Sequence, residues 1–164
     1  MPLLNARLKK VFTHPLYFVA FGFGSGLSPR APGTAGSVAA IPLYLLIAGL
    51  HPGMYAAAVF IAFVVGVIVC DWVARDMAVK DPGAIVWDEF VGLWIALFML
   101  PNGWYWLLTG FLLFRLFDIL KPWPVSFFDR ELKGGLGIMV DDVAAGFYSL
   151  IVLQAAAYLV GLFL

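Results

Sequence analysis

The chain has 164 residues, 63% of them hydrophobic and 12% charged, with mean hydropathy +0.98 and a formal net charge of zero. Soluble domains carry about 25% charged residues, so the composition predicts an all-α, polytopic helical membrane protein in a single domain over 1–164. Ten Lys+Arg balance ten Asp+Glu, which excludes a polybasic nucleic-acid binder, and the lone Cys70 excludes a disulfide framework or a Cys zinc cluster.

Residues 1–14 form a basic stretch with Arg7, Lys9 and Lys10, ahead of a membrane core at 15–164. No cleavable signal is expected there, because GFGSG interrupts the apolar run and no small-residue cleavage pattern follows. The run 16–27 is short and glycine-rich, and reads as an interfacial or re-entrant segment whose backbone other parts of the chain must cover. GLSPRAPGTAGS, 26–37, is a turn opening a helix. Its backbone N–H groups would favour a phosphate near Arg30, Thr34 and Ser37; equally, Thr34 or Ser37 could N-cap the helix. The GK[ST] ending of a P-loop is missing.

Five runs could cross a bilayer, at roughly 36–50, 54–73, 85–100, 104–120 and 143–163. The first and third are short against the roughly 17–25 residues a span needs. Within the second, Cys70 reads as a small core residue, and Asp71 and Arg75 as an i,i+4 ion pair. The third, IVWDEFVGLWIALFML, carries Asp88 and Glu89 at its start. The fourth ends in FRLFDILKPWP, where Arg115, Asp118 and Lys121 follow at intervals of three. They form either a ladder of interfacial ion pairs or a phosphate clamp beside an Asp-bound metal. Trp123 reads as an interfacial anchor. The glycines of GGLG, 134–137, predict a flexible approach to Asp141 and Asp142, which open the fifth run.

Charge then orients the chain. The connections around 51–53 and 101–103 hold no Lys or Arg, whereas Arg30, Lys80, Lys121, Arg130 and Lys133 lie on the other side with the N-terminus. That is a positive-inside pattern with a cytoplasmic N-terminus. It brings Asp88, Glu89, Asp118, Asp141 and Asp142 to the cytoplasmic ends of three runs. Carboxylates near helix N-termini also stabilise the dipole, but two pairs plus Asp118 on one side suggest a hard-oxygen site suited to Mg²⁺. Asp129 and Arg130 could also line it. Cysteine-phosphatase chemistry is excluded because Cys70 to Arg75 is C-x4-R; an Asp-x-Asp-x-Thr nucleophile is missing, and His14 and His51 fall on opposite sides.

FGFGSGLSP, PGTAGS, IVWDEFVG, FRLFDILKPWP, FDR and GGLGIMVDDVAAG together resemble bacterial phosphatidylglycerophosphatase A, in matching order from about Phe21 to Gly146. The resemblance implies a Mg²⁺-dependent lipid phosphatase of the cytoplasmic membrane, converting phosphatidylglycerophosphate to phosphatidylglycerol and phosphate. The resemblance does not assign roles to residues; the topology does, and on it Asp88, Glu89, Asp118, Asp141 and Asp142 are expected to hold the metal. Asp88, Glu89, Asp118 and Asp142 carry the catalysis, and Arg30, Thr34, Ser37, Arg115 and Lys121 hold the substrate phosphate. Water attack and an aspartyl-phosphate intermediate both stay open, as does the oligomeric state. The rival reading is a membrane carrier for a divalent cation, but residues 91–100 and 143–153 are nearly all apolar. A CDP-alcohol phosphotransferase is excluded by its missing D-G-x2-A-R…G-x3-D-x3-D spacing.

Overall fold

The computed structural model describes residues 10–79, 82–123 and 125–163. Arg7, Lys9, Lys80 and Asp81 lie outside the described residues, as does the side chain of Asp129. Among the described residues the chain is helical and has no strand. In order, the elements are α1 (Pro15–Ala20), a 3₁₀ segment (Gly22–Leu27), α2 (Pro32–Ile47), α3 (Pro52–Asp76), α4 (Trp87–Ala96), α5 (Trp104–Leu120), α6 (Val125–Glu131) and α7 (Gly134–Phe163).

Among the described residues, two helices are long and apolar enough to cross a membrane: α3, and α7 over Gly134–Gly161. The other expected spans are shorter. Helix α4 has ten residues, about 15 Å against a hydrocarbon layer of about 30 Å, so 85–100 is no continuous spanning helix. It is instead the core of the bundle. Every residue of α4 except Asp88 is buried, and it packs on α2, α3, α5 and α7. Helix α7 begins at Gly134 rather than near 143, which places Asp141 and Asp142 two turns inside it rather than at its start. Likewise α3 runs on to Asp76, so Asp71 lies within the helix, where it pairs with Arg75 at 2.8 Å. Cys70 is fully buried, as a small core residue should be.

Local chemistry accounts for the helix ends. Pro32 starts α2 at the first helical position, where a missing N–H costs nothing. Its N-cap is Ala31 with φ 47°, and neither Thr34 nor Ser37 caps it. Past the far end of α4, Gln154 of α7 donates to the carbonyls of Phe98 and Met99 in the turn that follows, at 2.8 and 3.0 Å. The buried aromatic handles also find carbonyls: Trp87 Nε1 donates to Ala62, Trp94 Nε1 to Ala40, and Tyr55 Oη to Trp94.

The glycines of GGLG are not a flexible approach. Gly135 lies where a Cβ would strike the Val67 carbonyl of α3, and its N–H donates to Asp71 at 3.0 Å. The 16–27 run divides into α1 and the 3₁₀ segment, and α1 docks on α3. Its clasp is polar: Lys10 Nζ and Tyr17 Oη both donate to Asp76 at 2.6 Å. The Asp76 bond holds the Lys10 ammonium above its ordinary range.

Helices α4 and α7 cross at two glycines. A Cβ on Gly146 would strike the Gly92 carbonyl and come within 3.1 Å of Ile95; one on Gly92 would meet Phe114 and the Asp142 carbonyl. Backbone cannot swing aside as a side chain can. Gly146→Ala should therefore cost about 1–3 kcal/mol, read as a thermal midpoint lower by roughly 5 °C in detergent. Gly161→Ala, in open space, should leave the midpoint unchanged.

Candidate active site

The site forms where α2, α4, α5 and α7 bring polar groups together at one end of the bundle. Its centre is Glu89, in the first turn of α4 and buried. Arg115 of α5 donates from Nη1 to both carboxylate oxygens, at 2.6 and 2.5 Å. Ser37 of α2 donates its hydroxyl to Oε2 at 2.8 Å. Arg115 also pairs with Asp118 one turn along at 2.8 Å. Helix α2 can approach because residue 33 is glycine: a Cβ there would collide with Glu89 Oε1 and lie 3.3 Å from Arg115 Nη1.

A second ion pair lies alongside. Lys121 ends α5 in the left-handed region, φ 43°, and this turns it away from the Arg115–Asp118 row toward α7. There it meets Asp141 at 2.7 Å. So the expected three-residue ladder is half right: Arg115 and Asp118 form it, and Lys121 joins a different partner. Asp88 is half-buried and accepts the Glu89 N–H at 3.0 Å. Asp142 is buried within electrostatic reach of Glu89, Asp88, Asp118 and Asp141.

All five expected carboxylates are thus in one neighbourhood, facing Arg115 and Lys121. One of the expected phosphate ligands, Ser37, takes another position. Ser37 lies beyond the first turn of α2, where its N–H is used within the helix; its hydroxyl holds Glu89 instead. Arg30 is exposed in the loop before α2, and Thr34 stands in the first turn, with an N–H that the helix leaves open. The sequence signal for Ser37 is its i,i+4 spacing from Gly33, which puts a gap and a hydroxyl on one helix face.

In this cluster Arg115 Nε, a donor, and Asp142 Oδ2, an acceptor, are buried without a hydrogen-bond partner. Native interiors rarely leave such groups unmet, so each marks a place for a ligand atom. The donors are all hard oxygens, and the five carboxylates outnumber the two cations by three charges when ionised. That chemistry fits a divalent cation such as Mg²⁺, although no three acidic side chains among the described residues are arranged as a preformed cage. The remaining buried polar side chain, Ser149, donates to its own helix at Ala145. Among the described residues, therefore, no ladder of buried polar groups leads from the cluster through the bundle, as a cation path would require.

The comparisons with known proteins agree with this chemistry. The family profile for phosphatidylglycerophosphatase A matches residues 18–157. The phosphatidylglycerophosphatase A of Escherichia coli K12 is 49% identical over 146 residues, covering 88% of this chain and 84% of the relative. That of Haemophilus influenzae is 46% identical over 158 residues, covering 94% and 96%. No solved structure matches the chain.

Ser37→Ala removes a buried hydrogen bond to a charged group, an interaction of about 1.5–3 kcal/mol. The thermal midpoint should fall, and Ser37→Thr, which keeps the hydroxyl, should recover most of the loss. From the profile match, the two relatives and the carboxylate cluster, this chain belongs to the phosphatidylglycerophosphatase A family and is a phosphatase.

Proposed function

We propose that this phosphatase hydrolyses phosphatidylglycerophosphate to phosphatidylglycerol and inorganic phosphate, with Mg²⁺, at the cytoplasmic leaflet of the bacterial inner membrane. The observation that carries the reading is the pair of unmet atoms in one acid-rich cluster: a phosphomonoester brings acceptors for Arg115 Nε, and a water brings a donor for Asp142 Oδ2. The names of the relatives supply the substrate.

The one-sided placement of the site draws support from the helix ends. The starts of α2, α4 and α7 meet the ends of α3 and α5 through Ser37–Glu89, Asp71–Gly135 and Lys121–Asp141. The opposite connections, 51–53 and 101–103, carry no Lys or Arg. Short α4 is compatible with membrane depth because its neighbours, rather than lipid, cover its backbone.

Mg²⁺ would be held by carboxylates of Asp88, Glu89, Asp118, Asp141 and Asp142, and would supply Lewis-acid polarisation of the phosphoester and a more acidic water. Arg115 offers Nε to a phosphoryl oxygen while its Nη1 keeps Glu89 and Asp118 in place. Asp142 takes a proton from the attacking water. The new P–O bond forms in line as the glycerol oxygen departs and takes up a proton. Lys121, Arg30 and the Thr34 N–H offset the charge of the dianion from the rim.

Purified Glu89→Gln, Asp142→Asn and Asp88→Asn should each lose about 100-fold or more of phosphate release from phosphatidylglycerophosphate. EDTA should abolish wild-type release, and added Mg²⁺ should restore it. Wild-type rates in all three variants would end the carboxylate assignment, and EDTA-resistant turnover would end the Mg²⁺ requirement.

A further inference from the structure

We propose that the outer groove between the end of α3 and the start of α7 is an accessory binding site for an anionic phospholipid of the phosphodiester class, separate from the carboxylate cluster. The proposal rests on the membrane placement argued above and not on the hydrolysis.

The groove forms beside a point where two helices touch. Gly135 lets α7 lie against the Val67 carbonyl of α3, and its N–H donates to Asp71 at 3.0 Å. On the outward side of this contact is a hollow of about 480 Å³. Its walls are open to the surroundings: Ile68 is 64%, Trp72 40% and Leu136 44% exposed. All its lining residues come from one level of the bundle, 67–75 of α3 and 133–136 beside it, and none belongs to the Glu89–Arg115 cluster.

The rim is basic. Arg75 stands just before the end of α3 and Lys133 just before the start of α7, and both line the hollow. Arg75 meets Asp71 through Nε at 2.8 Å, yet its side chain is 81% exposed, and a guanidinium carries further N–H donors. Lys133 is exposed as well. Set against Asp71, the two cations leave one positive charge, the complement of a phosphodiester. The next carboxylate along α3, Asp76, is already matched by Lys10 at 2.6 Å.

Below the rim the same face turns apolar. Trp72, Ile68 and Val64 precede Arg75 by three, seven and eleven residues, so they share its side of α3. Val64 is exposed and lies about 16 Å below Arg75, close to the depth of one leaflet, half of a hydrocarbon layer of about 30 Å. Trp72 is held in place by His14, stacked at 4.8 Å, and by Tyr17, edge-on at 6.3 Å. Cations at the surface, an indole at headgroup level and aliphatic side chains beneath follow the polarity of an anionic phospholipid. A soluble phosphate would use only the first of these. The groove of about 560 Å³ between α3, α4 and α7 has no charged side chain in its lining, so it offers no means of choosing one lipid over another.

The test uses phosphatidylglycerol, which carries a phosphodiester and has no phosphomonoester to hydrolyse. Native mass spectrometry of the detergent-purified chain should show one phosphatidylglycerol held about tenfold more tightly than phosphatidylcholine with the same acyl chains. Arg75→Gln with Lys133→Gln should bring the two lipids level, and Arg75→Lys with Lys133→Arg should keep the preference. Equal retention of both lipids by the wild type, or an undiminished preference in the Gln double variant, overturns the site. A second measurement needs no variant. Phosphatidylglycerol with a diazirine beside its headgroup, in phosphatidylcholine vesicles, should label 68–75 and 133–136 of the wild type, and millimolar inorganic phosphate should not reduce that label. Label concentrated in 33–37 and 115–121 puts the lipid in the carboxylate cluster as bound product, and displacement by phosphate makes the groove a soluble-anion site; either overturns the proposal. Neither measurement involves turnover. Their failure leaves the hydrolase reading standing, and absent phosphate release from phosphatidylglycerophosphate leaves the groove standing.

Discussion

The structure depends on a carboxylate placed on a helix that has no exposed side. Helix α4 is enclosed by four neighbours, and Glu89 is buried in its first turn. An ionised carboxylate taken out of water without partners costs several kcal/mol. Ser37 and Arg115 supply those partners from two other helices. Replacing such a pair by apolar groups is often neutral or stabilising, so its contribution is better described as register than as stability. It fixes how far α2 and α5 slide along α4, and that in turn places Asp118, Lys121 and Gly33.

Small residues make the convergence possible. Gly33 lets the α2 backbone lie against the Glu89–Arg115 pair, and Gly92 and Gly146 let α4 and α7 cross closely enough to seat Asp142 beside Glu89. A methyl group at any of them would separate the groups whose charges define the site. The closeness of the helices and the chemistry of the cluster are therefore one arrangement.

The two ends of the bundle are treated differently. At one end, charged side chains meet each other across helices. At the other, neutral donors such as Gln154 and Tyr55 satisfy carbonyls, and no charge is buried among the described residues. This asymmetry separates a one-sided enzyme from a through-path for ions.

Much of this was legible in the residues themselves. Composition pointed to an all-helical chain with helices apolar enough to cross a membrane, helical spacing paired Asp71 with Arg75, and charge bias grouped the five carboxylates with Arg115 and Lys121, because each depends on local pattern. What the sequence could not determine was depth. Apolar runs look alike whether lipid or protein covers them, so the ten-residue α4 read as a span, and Asp141 and Asp142 seemed to open a helix that in fact begins at Gly134. Nor could spacing reveal that Lys121, turned by a left-handed backbone, leaves the Asp118 row for Asp141, or that the Ser37 hydroxyl serves Glu89. Those partners are 20 and 52 residues apart. Only tertiary packing decides them, because a buried charge takes its counter-charge from whichever helix the crossing glycines allow to come near.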